Sequence, residues 1–355
     1  MNNVGKRISL QRKKIGLTQN ELAEKLMVSN KAVSKWESNA GRPSFDFIHA
    51  LCEILDCSAD YLIFGENTFE QYKRIKNGIL INIGKNEKGE DHFEDILKFP
   101  HLLVIGETGS GKSTLFHSFI VDIIKNYTKE KVNLGLIDCK GVEFDIYKSI
   151  PHLMQPVATK IETAVELLEN AMLEMDRRYS LFQDLGIRNI QQYNEMHKEK
   201  MPYNIIIIDE LAEIISNARA KQLIIHLIKI ARASGTHLII GTQRLRSDTL
   251  PYELKEFILT RICFKVDIRE QSEEYFKFAG GEELNGNGEM LFYKSNYKRL
   301  LKLQGNYYKF NEIAEILKEN GIECNYKIKN NEIDPKHFEY LDKVLRHEEK
   351  IDTKI

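Results

Sequence analysis

The stretch Gly106-Glu107-Thr108-Gly109-Ser110-Gly111-Lys112-Ser113 constrains this chain more than any other, because it fits the G-x-x-x-x-G-K-[ST] phosphate-binding pattern. His101 to Ile105 before it reads as a buried strand, and Thr114 to Tyr127 after it reads as a helix. Such a motif requires that strand–loop–helix setting. Glycines reach backbone angles closed to other residues, so the loop can fold around an anion and aim its N–H groups, with the helix N-terminus, at phosphates. Gly106, Glu107, Thr108, Gly109, Ser110, Gly111, Lys112, Ser113 and Thr114 are therefore the expected ATP cradle. Lys112 is expected to reach the β- and γ-phosphates, and Ser113 to hold Mg²⁺. The spacing predicts a nucleotide-binding protein.

From His101 onward, strands and helices alternate. Val132–Ile137, Tyr203–Ile208 and His237–Ile240 read as strands, while Ile161–Asp184 and Ala218–Ala233 read as helices. Near-continuous apolar strands in such alternation predict an α/β fold, a RecA-like parallel sheet covered by helices. Ligands in these sheets sit beyond the carboxyl ends of the strands. Asp209 and Glu210 follow the apolar run Ile205–Ile208; Asp209 is the expected Mg²⁺ ligand through water and Glu210 the group that orients the attacking water. Gly241-Thr242-Gln243-Arg244 ends another strand, where Gln243 is placed to sense the γ-phosphate. Asp138 and Lys140 fall on the same rim.

Ahead of this lies a different pattern. Thr18-Gln19-Asn20-Glu21 is a capping box, Met27-Val28 a tight turn, and Ser29 the cap of a further helix through Lys31, Val33 and Trp36. Two short helices so closely joined read as a helix-turn-helix. Residues 1–42 carry nine Lys and Arg (Lys6, Arg7, Arg12, Lys13, Lys14, Lys25, Lys31, Lys35, Arg42) against Glu21, Glu24 and Glu37, although the whole chain has a net charge of −1. Nucleic-acid binding must therefore come from local patches rather than bulk charge. The five cysteines are scattered and form no Cys-x-x-Cys pair, which fits a reducing cytoplasm and suggests neither a disulfide framework nor a zinc site. No apolar run approaches the ~18–20 residues of a membrane span, and the N-terminus lacks the apolar core of a signal peptide. The expected organisation is a helix-turn-helix domain over 1–66, a linker over 67–80, the ATPase over 81–322 and a charged helical tail over 323–355.

The first span resembles the Cro/repressor-like (XRE) family through Leu17-Thr18-Gln19-Asn20-Glu21-Leu22-Ala23, Val28 to Glu37, Pro43 and Asp60-Tyr61-Leu62. That resemblance implies that the helix starting at Ser29 lies in the major groove. Asn30, Lys31, Ser34 and Lys35 would then face base edges, with Gln19 on the backbone; amide and ammonium groups suit purine edges. Residues from about Ile81 to Gly321 resemble the motor core of the FtsK/SpoIIIE family of double-stranded DNA translocases. The matching stretches include Leu136-Ile137-Asp138-Cys139-Lys140, Ile150-Pro151-His152-Leu153, Glu174 to Tyr179, Leu185 to Ile190, Ile208 to Ala212, Ala231 to Leu238, Thr260-Arg261-Ile262 and Gly286 to Leu291. Cys139 and Leu245 depart from it, each standing where the family usually has proline.

The resemblance implies an ATPase ring, usually hexameric, that threads duplex DNA and completes each site with an arginine from the neighbouring subunit. Arg232 and Arg261 are the candidates for that arginine. Arg188, in a segment resembling a pore-facing loop that runs to Lys200, is a candidate for gripping phosphates. The expected partners are double-stranded DNA, further copies of the chain and other DNA-transfer proteins. Two functions stand at this point. One is a translocase with its own address-reading domain, serving transfer or maintenance of a mobile element or plasmid. The other is an ATP-gated site-specific regulator or replication-initiation factor without processive movement.

Overall fold

Thr18 and Glu21 cap one another: the Glu21 N–H donates to Thr18 Oγ1 at 3.2 Å, and the Thr18 N–H donates to Glu21 Oε2 at 2.7 Å. This closes two of the orphan donors at the start of α2 (Gln19–Lys25), which follows α1 (Val4–Lys14). Ser29 Oγ accepts from the Ala32 N–H at 3.2 Å and starts α3 (Asn30–Glu37); α4 spans Phe45–Ile54. Met27, between α2 and α3, takes the left-handed φ of 54° that so tight a turn needs. Ile8, Leu22, Ala23, Val33, Trp36, Leu51, Leu55 and Leu62 close the core of this unit.

The computed structural model describes residues 4–55, 57, 62, 78–243, 245, 250–294 and 300–323. The chain divides into two units, Met1–Leu80 and Ile81–Ile355. The expected helix over 58–64 (Leu62 apart), residues 67–77 of the expected linker, and the expected tail beyond Glu323 lie outside the described residues. Arg244 does too.

A polar clamp ties the first unit together. Arg12 reaches Glu37 through two nitrogens, at 2.6 and 3.0 Å, and the Leu17 carbonyl through a third at 2.6 Å. Gln19 Nε2 donates to Glu37 Oε2 at 2.8 Å. Burial alone would raise the Glu37 pKa, but the hydrogen bonds from Arg12 and Gln19 outweigh it and hold the carboxyl below its ordinary range. Arg12→Ala is expected to lower the stability of this unit by ~2 kcal/mol at neutral pH, since it leaves a largely buried carboxylate unpaired. Because the folded pKa of Glu37 is depressed, its stabilisation is present above the unfolded carboxyl pKa and is lost as pH falls through the folded value. The gap between the two proteins should therefore narrow below about pH 4. Trp36, the chain's one tryptophan, gives a fluorescence readout of denaturant unfolding; equal midpoints at pH 7 would refute the clamp.

The second unit is built on a nine-stranded sheet in the order β2-β1-β9-β8-β7-β3-β6-β5-β4. Its strands are β1 (Leu80–Lys85), β2 (Asp91–Asp95), β3 (His101–Ile105), β4 (Val132–Ile137), β5 (Tyr203–Ile208), β6 (Thr236–Thr242), β7 (Thr260–Cys263), β8 (Glu289–Lys294) and β9 (Leu301–Gln304). The strands β7, β3, β6, β5 and β4 run parallel, as the alternation requires. The expectation of a parallel sheet needs correction beyond β7: β8, β9 and β1 join antiparallel. Only residues 295–300 separate β8 from β9, and a parallel crossover needs a dozen or more.

One face of the parallel strands, including Leu103, Ile105, Ile206, Ile208, Leu238 and Ile240, packs on Leu167, Leu168 and Ala171 of the Ile161–Leu185 helix and on Leu223, Ile224 and Leu227 of the Ala218–Ile230 helix. The other face meets the Lys112–Asn126 helix. There a Cβ on Gly241 would stand 2.8 Å from the Phe116 ring, so only glycine admits the contact. Among the described residues, no helix is long and apolar enough to cross a membrane.

Candidate functional site

The helix after the phosphate loop begins at Lys112, with Gly111 as a cap that offers no side-chain bond. Its first N–H groups thus face outward without side-chain partners, the arrangement that receives anions. Gly106 and Gly111 have φ of 156° and 121°, and a Cβ on Gly106 would stand 2.6 Å from Phe264 Cβ. Lys112 is buried, with 3% exposure, inside the loop it serves.

The parallel register brings the other candidates to this loop. Ile208 at the end of β5 pairs with Ile240, and Ile105 at the end of β3 pairs with Thr242. Asp209 and Gln243 are thereby carried to the rim where the loop begins. Ser113 Oγ lies 3.4 Å from Asp209 Oδ1. Glu210 is held by both oxygens: Oε1 accepts from Thr242 Oγ1 at 3.0 Å and from the Ala212 N–H at 3.1 Å, and Oε2 accepts from the Gln243 N–H at 2.9 Å. Gln243 Oε1 in turn accepts from Thr108 Oγ1 at 2.7 Å. A hydrogen-bonded path therefore runs from the phosphate loop through Gln243 to Glu210.

The charge of the site is lopsided. Burial pushes the Asp209 carboxyl up to about 6; Lys112 opposes the shift, while Glu143, Asp138 and Glu210 add to it. Burial likewise lowers the Lys112 pKa, against the pull of Asp209 and Glu210. Carboxylates crowd a single buried ammonium here, and hard oxygen donors with excess negative charge are what Mg²⁺ takes. Ser113 and Asp209 fit that ion. Asp138 does not face it: its oxygens accept from the N–H groups of Gly141, Glu143 and Phe144 at 2.8–3.0 Å and close their loop. Lys140 is on the rim, 4.0 Å from Glu213.

That closed loop delivers a residue the sequence reading missed. Glu143 Oε2 lies 3.4 Å from His117 Nε2, and His117 Nδ1 lies 2.8 Å from the Tyr147 hydroxyl. The His117 bond holds the Glu143 carboxyl below its ordinary range against burial, with Ser113 and Lys112 contributing. No local spacing announces it. Only the fold of the 138–144 loop sets this acid beside the first turn of the phosphate-loop helix.

The arginine candidates separate. Arg261 is 1% exposed and donates to the carbonyls of Ile258 at 3.0 Å, Tyr275 at 2.8 Å and Lys255. It is a buried structural brace, which corrects the expectation that it serves a neighbour's site. Arg232 is exposed in the turn Ala231–Ser234, before β6 begins. Over Thr236–Thr242, at about 3.3 Å per residue, it stands roughly 23 Å from the rim that carries Gln243. A Cβ on Gly235 would stand 2.6 Å from Ile190 Cδ1, so the Arg232 turn packs on the short helix Ile190–Met196. Exposed Arg188 precedes that helix, while Lys200 is tied to the carbonyls of Asn194 and His197.

In the first unit Asn30, Lys31, Ser34 and Lys35 are exposed on α3, while Val33 and Trp36 are buried. Asn30 Nδ2 bonds to Asn20 Oδ1. Gln19 departs from the expectation of a backbone contact in that its amide nitrogen already serves Glu37.

A parallel sheet with a lysine-bearing phosphate loop, an acid pair and a glutamine converging on one rim defines a P-loop ATPase, here joined to a helix-turn-helix unit. The FtsK/SpoIIIE family profile matches residues 68–247, and the chain belongs to that family; a helix-turn-helix profile matches residues 8–62. The chain is 40% identical over 257 residues to the DNA translocase FtsK of Caldanaerobacter subterraneus subsp. tengcongensis, covering 71% of this chain and 36% of that protein. It is 36% identical over 251 residues to the DNA translocase SpoIIIE of Bacillus subtilis (strain 168), covering 67% and 32%. The chain thus spans about a third of the length of the curated relatives it matches. Among solved structures it is similar to the pCW3 conjugation coupling protein TcpA, in its monomer form with ATPγS. That likeness has a TM-score of 0.60 and 26% identity, covering 70% of this chain and 72% of that one.

Proposed function

We propose that this chain hydrolyses ATP to move duplex DNA, working as a head-to-tail ring of six subunits whose helix-turn-helix unit supplies the address. The observation that carries the reading is the split between the two edges of the sheet. Lys112, Ser113, Asp209, Glu210 and Gln243 share one edge, and the exposed Arg232 stands at the other. An arginine so far from its own phosphate loop serves a site only on a second copy, and head-to-tail contacts of that kind close into rings.

In the proposed reaction Lys112 and the loop N–H groups hold the phosphates, while Ser113 and Asp209 hold Mg²⁺, which would neutralise phosphate charge when bound. Glu210, fixed by Thr242 and Gln243, orients the attacking water and takes its proton. Gln243 links the γ-phosphate end of the loop to that acid through Thr108. Asn30, Lys31, Ser34 and Lys35 read base edges, and Arg188 grips phosphates. The relatives' names as DNA translocases support movement on DNA, and TcpA's as a conjugation coupling protein supports service to a mobile element.

A motor keeps turning over while track remains, whereas an ATP-gated regulator responds to site occupancy alone. ATP turnover per chain is therefore expected to rise with duplex length well beyond a single binding site. Lys31→Ala should erase the sequence-specific footprint, at ~1–3 kcal/mol for a base contact, and leave turnover on long nonspecific duplex unchanged. Turnover that is flat with length would favour the regulator.

A further inference from the structure

The stretch Glu174 to Tyr179 stands out in the sequence, yet the nucleotide chemistry leaves it without a role. In the fold it lies on the Ile161–Leu185 helix, against the turn Ala231–Ser234 that carries Arg232. We infer that Arg178 and Tyr179 are positioning residues: they hold the Arg232 turn in the shape that presents its guanidinium to the site of a neighbouring copy. The inference rests on the reading of Arg232 as the arginine that acts in trans.

Bracketing is the first argument. The Tyr179 hydroxyl donates to the Ile230 carbonyl, and Arg178 Nη1 donates to the Ser234 carbonyl at 2.8 Å. Those carbonyls belong to the residues two before and two after Arg232, so consecutive residues of one helix pin both flanks of the turn. Inside the brackets Ser234 Oγ donates to the Ala231 carbonyl at 2.7 Å, and the Gly235 N–H donates to the carbonyl of Arg232 itself at 3.1 Å.

The burial of Arg178 is the second. It is 2% exposed, and a guanidinium taken out of water is costly unless it is paired and hydrogen-bonded. Glu174 supplies the pairing: its Oε1 accepts from Arg178 Nε at 2.7 Å, and exposed Arg177 grips the same carboxylate through two nitrogens at 2.7 and 2.8 Å. Arg177, with Arg178, holds the Glu174 carboxyl down at about 2 against burial. An apolar side chain would fill the place of Arg178 with less desolvation. What it could not do is donate to the Ser234 carbonyl.

The state of Arg232 is the third. Its side chain is exposed, and none of the hydrogen bonds or ion pairs among the described residues engages it. Beneath the turn, burial pushes the His101 pKa down to about 3 and that of His237 down to about 4, and the Arg232 charge adds to both shifts. Both imidazoles are thus neutral at pH 7. A fixed backbone under an unengaged guanidinium suits a group that must meet a reacting phosphate, because a misplacement of about 1 Å costs on the order of 10²-fold in rate.

The test uses the full chain with Mg²⁺ on long duplex. Tyr179→Phe keeps the ring against Phe182 and removes only the hydroxyl. Arg178→Lys keeps the charge beside Glu174 and loses the fork that reaches Ser234. Each should lower kcat for ATP about tenfold at unchanged KM, since the chain's own phosphate loop lies at the other edge of the sheet. In an Arg232→Ala background the same changes should lower kcat no further. Mixing the Tyr179→Phe chain with Lys112→Ala should raise turnover per Tyr179→Phe chain, because the partner brings a well-held arginine. Parental kcat in both variants, with Arg232→Ala impaired, would overturn the positioning role alone. So would a loss that persists in the Arg232→Ala background or that no mixture rescues, the mark of a brace for the whole unit. If Arg232→Ala turns over at the parental rate, the trans arginine itself falls, and the positioning role falls with it.

Discussion

Lys112→Ala is expected to abolish ATP binding, whereas Glu210→Gln should bind ATP and lose hydrolysis by roughly 10²–10³-fold. The two residues sit on one rim but do different work. Lys112 is the only ammonium buried among Asp209, Glu210 and Glu143 within the described site. Without it, a polyanionic ligand meets carboxylates alone, and like charges in a poorly solvated site repel strongly. Glu210 contributes differently. Its oxygens accept from the Thr242 hydroxyl and the Ala212 N–H on one side and the Gln243 N–H on the other, so glutamine keeps the shape, gives up one of these N–H partners and removes the negative charge that receives a proton. Binding should be followed with a fluorescent ATP analogue and hydrolysis by phosphate release. A Lys112→Ala chain that hydrolyses at the parental rate would sink the assignment of this loop.

Arg232→Ala should lower ATP turnover by ~10³-fold, in the range of arginines that reach a transferring phosphoryl group from a neighbour. Mixing it with Lys112→Ala should restore part of the activity, because each chain supplies what the other lacks at a shared boundary. Arg261→Ala makes the comparison. Its guanidinium is enclosed and bonded to three carbonyls, so its loss should lower stability and no mixture should rescue it. Turnover of the Arg232→Ala chain at the parental rate, or a mixture no more active than its parts, would rule out the trans arginine.

Much of this protein was settled by short-range pattern. The loop Gly106–Ser113 needs only its own spacing and a flanking strand and helix, because its chemistry uses its own backbone. Thr18 and Glu21 announce a helix start for the same reason: both partners of the capping box lie within one turn. The apolar run Ile205–Ile208 identifies a buried strand, so Asp209 and Glu210 can be placed at its end before any neighbour is known.

What local pattern could not supply is which distant segments meet. Thr108 and Gln243 are 135 positions apart and bond only because β3 and β6 are parallel neighbours. Glu143 reaches His117 through the fold of its own loop. Gly288 and Gly305 come to the phosphate loop because β8 and β9 turn back antiparallel. Arg232 and Arg261 look alike as residues in sequence, and burial alone separates a brace from an exposed cation. Propensity and spacing act over a few residues, so the sequence by itself determines the four central apolar strands, the helices between them and the phosphate loop. Strand order and desolvation act between segments far apart in the chain, and only the tertiary structure decides them.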